Sequence, residues 1–481
     1  MDKLPACHYN YSPEVDPQED VLRKIAYAKY PHSRTGRVVL IVPASPQIPT
    51  PGREFLVTGP FEGFTYIATL IKKMGYELII IDCRLKENIN PLVLDGIKDA
   101  EIIGIATYCD SFVFLREVTQ LIKEAFPKKP IFLGGPLVTS LPEIVLKNTT
   151  ADYAILGEGE LTVIEFLDTC LTRGETDFTN IKGMAYKDSK GRIIINPKRP
   201  QIKNLDNLPF LDYSIWSNYE SIVRNGQILI SSMRGCPQEC SFCFKTIPAL
   251  RFKSLGRFEE EVAYLKQTTR FDYAWLNDLT FNVAEERAIK ACRILKKYDV
   301  KYHCFARVQK ISATLVKTLE ETGCLGIWFG IESYDQKILD ENRKNVNIEE
   351  INKAVKIAQE AGLAVRGLFI VGLYGETESS LKKMLDFITE SKFLPLVKYL
   401  VPFPGTSLYQ YAVRSGKIKD TIEFLEMLSR RRVRDYDDEI TNLTGMKEET
   451  LRHYFHRIWK ITKEREDCVD YQRTLSTRKP C

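Results

Sequence analysis

Two runs of short, wholly apolar strands alternating with amphipathic helices constrain the fold of this 481-residue chain more than any other feature. The first run has strands at 37–43, 78–82, 102–106, 131–135 and 153–160, with 64–75 reading as an amphipathic helix closed by a glycine. Strands that are apolar on both faces and separated by helices predict a parallel sheet covered on both sides. The fold class is therefore α/β, with a doubly wound, Rossmann-like N-terminal unit. Ligands of such sheets lie beyond the carboxyl ends of the strands. Gly134, Gly135, Gly157 and Gly159 fall at those ends. Glycine there either lets backbone amides approach a bulky ligand or serves a tight strand-to-helix turn. The second run has strands at 228–232, 273–276, 302–306, 326–331, 367–372 and 396–401, with helices at 284–297, 313–322, 348–361 and 379–391 between them. Gly323 and Gly362 stand where helix C-caps belong. Six such units predict a curved parallel sheet with its chemistry at the strand carboxyl ends.

The segment Arg234-Gly-Cys-Pro-Gln-Glu-Cys-Ser-Phe-Cys-Phe244 follows the first strand of the second run and puts Cys236, Cys240 and Cys243 within eight residues. Three thiolates from one loop cap three irons of a cubane and leave the fourth without a protein ligand. Soft thiolates select an iron–sulfur cluster, and the incomplete ligand set implies an exchangeable position. This spacing, with an aromatic residue just before the third cysteine, resembles the radical S-adenosylmethionine enzymes. The resemblance implies a partial (β/α)6 radical SAM barrel over 227–410 and a 4Fe–4S cluster on Cys236, Cys240 and Cys243. It also implies an S-adenosyl-L-methionine (SAM) bound at the free iron and cleaved to a 5′-deoxyadenosyl radical.

Together with that loop, the first unit is similar to the cobalamin-binding domain found ahead of many radical SAM enzymes. The matching elements are Gly134-Gly-Pro136, Pro142-Glu143 and Gly157-Glu-Gly-Glu160. The resemblance assigns Gly134, Gly135, Gly157 and Glu158 to the cofactor. The Asp-x-His-x-x-Gly element of many cobalamin proteins is missing, and the histidines before the barrel are His8 and His32. Histidine ligation of cobalt is therefore not expected. Two states remain compatible with the sequence: cobalamin bound without a histidine, and a domain that has lost it.

The chain thus divides into an N-terminal extension (1–36), a cobalamin-type domain (37–165), a linker (166–226) with a β-hairpin over 184–196, the barrel (227–410) and a helical C-terminal segment (411–481). At the barrel's strand ends stand Asn277, Asp278, Arg307, Glu332 and Ser333; Arg366 opens the fifth strand at its other end. In the resemblance, Phe242 lies beside the adenine and the Phe329–Ser333 segment, with Glu332 and Ser333, meets SAM. A carboxylate such as Glu332 suits a ribose hydroxyl pair or the methionine ammonium, or else a structural ion pair. Arg307 suits the methionine carboxylate or a core ion pair. Asp278 matches a position near substrate or cofactor in relatives, and aspartate also caps helices. Tyr374 and Glu376 are candidates to close the cofactor side. Cys109 and Cys304, near strand ends, read as ordinary buried thiols, so one cluster is expected. His453 and His456 stand three apart on a helix with no third ligand nearby, and that helix reads as one packing over the barrel, a segment that helps cover the substrate in relatives.

A formal net charge of +5 is slight for this length, and the run Arg430-Arg-Arg-Val-Arg434 is followed at once by Asp435, Asp437, Asp438 and Glu439. That pattern reads as a solvated helix end, not a nucleic-acid site. No apolar run reaches the ~18 residues that span a bilayer. The N-terminus lacks a secretory pattern, which places the chain in a reducing cytoplasm. The expected function is cobalamin-dependent C-methylation of a small molecule, with a flavodoxin or ferredoxin as electron donor. The alternative is a cobalamin-independent radical dehydratase, cyclase or coupling enzyme with a degenerate first domain.

Overall fold

The computed structural model describes residue 4 and residues 14–28, 34–44, 59–84, 86–430 and 439–468. The first sheet contains β1 (Arg37–Val42), β2 (Glu77–Asp82), β3 (Ile102–Ala106), β4 (Ile131–Gly134) and β5 (Tyr153–Ile155), all parallel, in the order β2-β1-β3-β4-β5. Alternate residues of β1 enter different cores. Val38, Leu40 and Val42 join Tyr66 and Leu70 of the Glu62–Lys73 helix; Val39 and Ile41 join Val93, Phe112 and Leu115 on the opposite face. Both faces being covered is why the strand reads as an unbroken apolar run.

The sheet does not stop at β5. The hairpin expected in the linker forms β6 (Met184–Lys187) and β7 (Ile193–Ile195), which add antiparallel at its edge with Ala185 opposite Ala154. The N-terminal extension is also built in. A helix over Gln18–Ala26 buries Leu22 and Ile25, and its buried Glu19 accepts the backbone N–H groups of Lys203 and Asn204. A buried glutamate in the inward stripe hides that helix from a periodicity reading.

In the second unit β8 (Ile228–Ile230) leads into a two-stranded antiparallel ribbon, β9 (Met233–Arg234) and β10 (Arg251–Phe252), which brackets the cysteine loop. The parallel sheet then adds β11 (Tyr273–Leu276), β12 (Lys301–Ala306), β13 (Cys324–Glu332), β14 (Ala364–Val371) and β15 (Leu394–Tyr399), next to one another in that order from β8. Six parallel strands with outer helices make the partial barrel. Tyr302, Cys304 and Ala306 join the core, whereas His303 and Phe305 alternate with them and meet the ring of Trp275. Cys304 is thus a core thiol. Cys109 is half-buried, and burial pushes its thiol up to about 12.

Two helices end the described chain. Thr421–Arg430 returns to the first unit, where Glu426 pairs with Arg116 at 2.7 Å. Glu448–Cys468 packs along β15: Phe455 stacks on Tyr399 at 3.9 Å between ring centroids, and Thr462 donates to the Pro395 carbonyl. The last helix thus packs against the sixth strand of the barrel, as its helical spacing predicts. The basic run at 430–434 falls almost wholly outside the described residues, as do His8 and His32.

Candidate active site

The cysteine loop is held at several points. Gly235 adopts φ +86°, and a Cβ there would collide with the Ala249 carbonyl, so the turn into Cys236 needs glycine. Cys236 Sγ lies 3.3 Å from Thr280 Oγ1, and Lys245 Nζ donates to the Cys236 carbonyl. Ser241, between the second and third cysteines, donates its N–H to Asn342 O and receives the N–H of Leu408. Burial, then the neighbouring Cys240, pushes the Cys243 thiol up to about 11, and Lys245 and Lys344 oppose that rise. Among the described residues no three His, Cys, Asp or Glu side chains converge tightly enough for one metal ion. A cubane gives each thiolate its own iron, so its ligands need not converge.

Beside this loop the structure brings Phe242, Arg307 and Glu332 around one residue that sequence reasoning missed, Lys344. Its Nζ pairs with Glu332 Oε1 at 2.8 Å and lies 5.9 Å from the centre of the Phe242 ring, while its carbonyl accepts Arg307 Nη2 at 2.6 Å. Arg343 and Asn345 on either side have left-handed φ values of 53° and 51°, which turn the buried lysine inward. Its setting, Asn342-Arg-Lys-Asn345, reads as an ordinary polar loop, and no sequence signal marks it. Glu332 itself has φ +68°, in a tight turn closed by Ser333 N–H to Ile331 O at 2.9 Å. A Cβ on Gly330 would approach Lys344 Nζ to 2.9 Å, so the missing side chain makes room for the pair. Ser333 is fully buried and its hydroxyl has no protein partner. Glu376 sits at the end of β14, where Oε2 accepts the Gly372 N–H at 2.6 Å and Oε1 is unpartnered; burial pushes its carboxyl up to about 8.

Two of the candidate residues make their contacts with protein groups. Asp278 is fully buried, and both carboxylate oxygens are occupied by the backbone N–H groups of Ser232 and Met233 and by the Ser232 hydroxyl. It positions the entry to the cysteine loop; burial raises its carboxyl to about 6 against those hydrogen bonds. Glu158 is likewise spent on protein groups: Arg234 at 2.6 Å, Arg251 at 2.9 Å and the Ile202 N–H at 2.8 Å. Burial works to raise its pKa, but the two guanidiniums outweigh it and hold the carboxyl below its ordinary value.

At the ligand edge of the first sheet, Gly134 and Gly157 both face open space, since a Cβ on either would meet nothing within 4 Å. Gly135 differs: at φ +123° its Cβ would come within 2.7 Å of the Thr107 carbonyl oxygen, so it serves a close backbone approach. The first unit also reaches the barrel's strand ends through Glu62, whose Oε2 accepts Ser231 Oγ and Asn277 Nδ2, each at 2.6 Å. Deeper in the barrel, Trp275, His303, Phe305 and Trp328 pack against one another at centroid distances of 5.0–5.9 Å, with Arg366 4.8 Å from the Trp328 ring. Burial, then Arg366, lowers His303 to about 3, so it is neutral.

Residues 230–388 match the family model of the Radical SAM superfamily, and residues 55–167 match that of the B12 binding domain. The chain thus carries a B12-binding domain followed by a radical SAM domain. Among its relatives is an uncharacterized methyltransferase of Pyrococcus horikoshii, 29% identical over 372 residues that cover 75% of this chain and 80% of the relative. Another is the anaerobic magnesium-protoporphyrin IX monomethyl ester cyclase of Rubrivivax gelatinosus, 26% identical over 375 residues that cover 75% of this chain and 67% of the cyclase. The fold is that of the radical S-adenosylmethionine methyltransferase TsrM from Kitasatospora setae, with a TM-score of 0.64 at 15% identity, covering 79% of this chain and 75% of that one. The cofactors that these two domains bring are a 4Fe–4S cluster, SAM and cobalamin. Its residues fit them: a three-thiol loop, a buried hydroxyl without a partner at Ser333, and a cradle with free space over Gly134 and Gly157.

Proposed function

We propose that this radical SAM protein methylates a carbon atom of a small molecule, with residues 37–165 holding cobalamin and residues 227–410 holding the cluster, SAM and the substrate. When bound, these cofactors supply the methyl group and the radical that removes hydrogen from the substrate carbon. Cys236, Cys240 and Cys243 hold the cluster. Phe242, Arg307, Glu332 and Ser333 surround SAM: Lys344 holds the Glu332 carboxylate in place for a hydroxyl or ammonium donor, and the Ser333 hydroxyl offers an unspent hydrogen bond. Gly134 and Gly157 leave room for cobalamin, and Gly135 lets the backbone between them pass close to Thr107. Glu62 fixes the first domain against Ser231 and Asn277, which sets the spacing between the two cofactor regions. The packed rings of Trp275, His303, Phe305 and Trp328 fill the interior below, so substrate sits at the strand ends above them. A flavodoxin or ferredoxin supplies the electron in a reducing cytoplasm. Among the described residues no helix is long and apolar enough to cross a membrane.

The observation that carries this reading is the joint presence of the three-cysteine loop and an open glycine cradle in one chain. The second reading is a cobalamin-independent radical dehydratase, cyclase or coupling enzyme, and a cyclase stands among the relatives. Anaerobic purification with cobalamin in excess separates them. Near-stoichiometric cobalamin, with 5′-deoxyadenosine formed after reduction, supports methyl transfer. Cleavage of SAM by a cluster-bearing protein that takes up no cobalamin supports the second reading.

A further inference from the structure

Gly157 borders the cradle, and the residue after it leaves its own domain. Glu158 Oε1 accepts Arg234 Nη1 at 2.6 Å and Arg251 Nη2 at 3.2 Å, and its Oε2 accepts Arg251 Nη1 at 2.9 Å. Glu160 takes the other end of Arg234 at 2.7 Å. Arg234 and Arg251 are direct cross-strand partners at the base of the β9–β10 ribbon. Gly235 and Cys236 follow Arg234 immediately. Two cations placed opposite one another on a ribbon repel, and here their side chains are only 10% and 6% exposed, so water screens little of that repulsion. The carboxylates of Glu158 and Glu160, themselves 3% and 4% exposed, neutralise them. The ribbon that closes the cysteine loop therefore depends on a loop of the other domain, and that loop is the rim of the glycine cradle.

We propose that Glu158 is a positioning residue that couples the two cofactor sites: ordering the cluster loop orders the 157–160 rim, and a corrinoid seated on that rim orders the cluster loop. Such coupling is reciprocal, so cluster and cobalamin each raise the affinity for the other by the same factor. The corrinoid half rests on the cobalamin reading above; the cluster half does not.

The test uses the full chain, cluster-free and cluster-reconstituted. Hydrogen exchange in peptides covering 156–161 is measured without cobalamin, and hydroxocobalamin affinity is measured by anaerobic spectral titration. We expect reconstitution to slow exchange at the rim and to tighten hydroxocobalamin by about fivefold or more. In Glu158→Gln both ratios fall to about one, and in Arg251→Lys, which keeps the charge but loses the fork, they are intermediate. Asp16→Asn breaks the equally buried Arg199–Asp16 pair between the N-terminal extension and the linker, 2.9 Å long, and should leave both ratios intact. An exchange effect absent from the natural chain, or undiminished in both Glu158→Gln and Arg251→Lys, overturns the coupling. Rim protection in a chain that binds no hydroxocobalamin upholds the cluster half and overturns the methyl-transfer reading instead.

Discussion

The Asp278 carboxylate grips Ser232 twice, accepting its backbone N–H at 2.8 Å and its hydroxyl at 2.6 Å. A third bond, from Met233 N–H at 3.0 Å, extends the grip to the first residue of the ribbon. One side chain at the end of β11 thereby sets the path of the backbone into the cysteine loop. Asp278→Ala leaves two buried N–H groups without acceptors, at about 1–3 kcal/mol each. Asp278→Asn keeps an acceptor for both amides. Iron content and the charge-transfer absorption after reconstitution should fall strongly in the alanine variant and stay near the natural level in the asparagine one. Equal loss in both would show that the negative charge, not the hydrogen-bond geometry, is what matters.

Neighbouring glycines of the first sheet should respond in opposite ways. Gly134→Ala places its methyl group in open space, so thermal stability should stay within about 0.5 kcal/mol while cobalamin binding weakens at least several-fold. Gly135→Ala forces a Cβ to 2.7 Å from the Thr107 carbonyl at a φ of +123°, and should cost about 2–4 kcal/mol whether or not cobalamin is present. Denaturant melts and cobalamin titrations on both variants separate the cradle from the scaffold.

Lys344 and Glu332 form a buried pair, at 7% and 12% side-chain exposure, so removing one partner strands the other charge. Lys344→Met should destabilise the cluster-free protein by about 3 kcal/mol, and the double variant Lys344→Met with Glu332→Gln should recover much of that loss. SAM binding, followed by equilibrium dialysis, should not recover in the double variant, because the carboxylate itself has gone. Recovery of binding as well would reduce Glu332 to a purely structural group.

Strands, helices and the cysteine loop were legible because they follow local rules: apolar runs of five or six residues, helical spacing, and ligands within one loop. The ligand-edge glycines were legible as positions, but not the difference between Gly134 and Gly135, which is set by the Thr107 backbone arriving from β3. Glu158 was found through the Gly157–Glu160 segment and Asp278 as a polar residue at a strand end, but neither reading supplied the protein partners the structure gives them. Their arginine and amide partners lie 93 and 46 residues away, and only the tertiary fold brings them together. Lys344 was invisible for the same reason, since its burial depends on the absence of a side chain at Gly330.

Glu376 gives the site a pH signature. Its carboxyl, pushed by burial up to about 8, keeps in the native state a proton that the unfolded chain releases near 4.5. The native state therefore binds more protons across that interval, and stability must fall as pH rises from about 4.5 to 8, then level off. Glu376→Gln cannot release a proton, and its amide oxygen can still accept the Gly372 N–H. Its nitrogen would occupy the place of Oε1, which has no partner to lose. The variant should match the natural chain near pH 4.5 and exceed its stability at pH 8.5 by a few kcal/mol, on the order of 1.4 kcal/mol for each unit of the raised pKa. Urea unfolding of the cluster-free proteins between pH 4.5 and 8.5 measures the difference. Parallel curves over that range would mean that Glu376 is ionised in the folded protein, and that its unpartnered oxygen is ready to receive a donor from SAM or substrate.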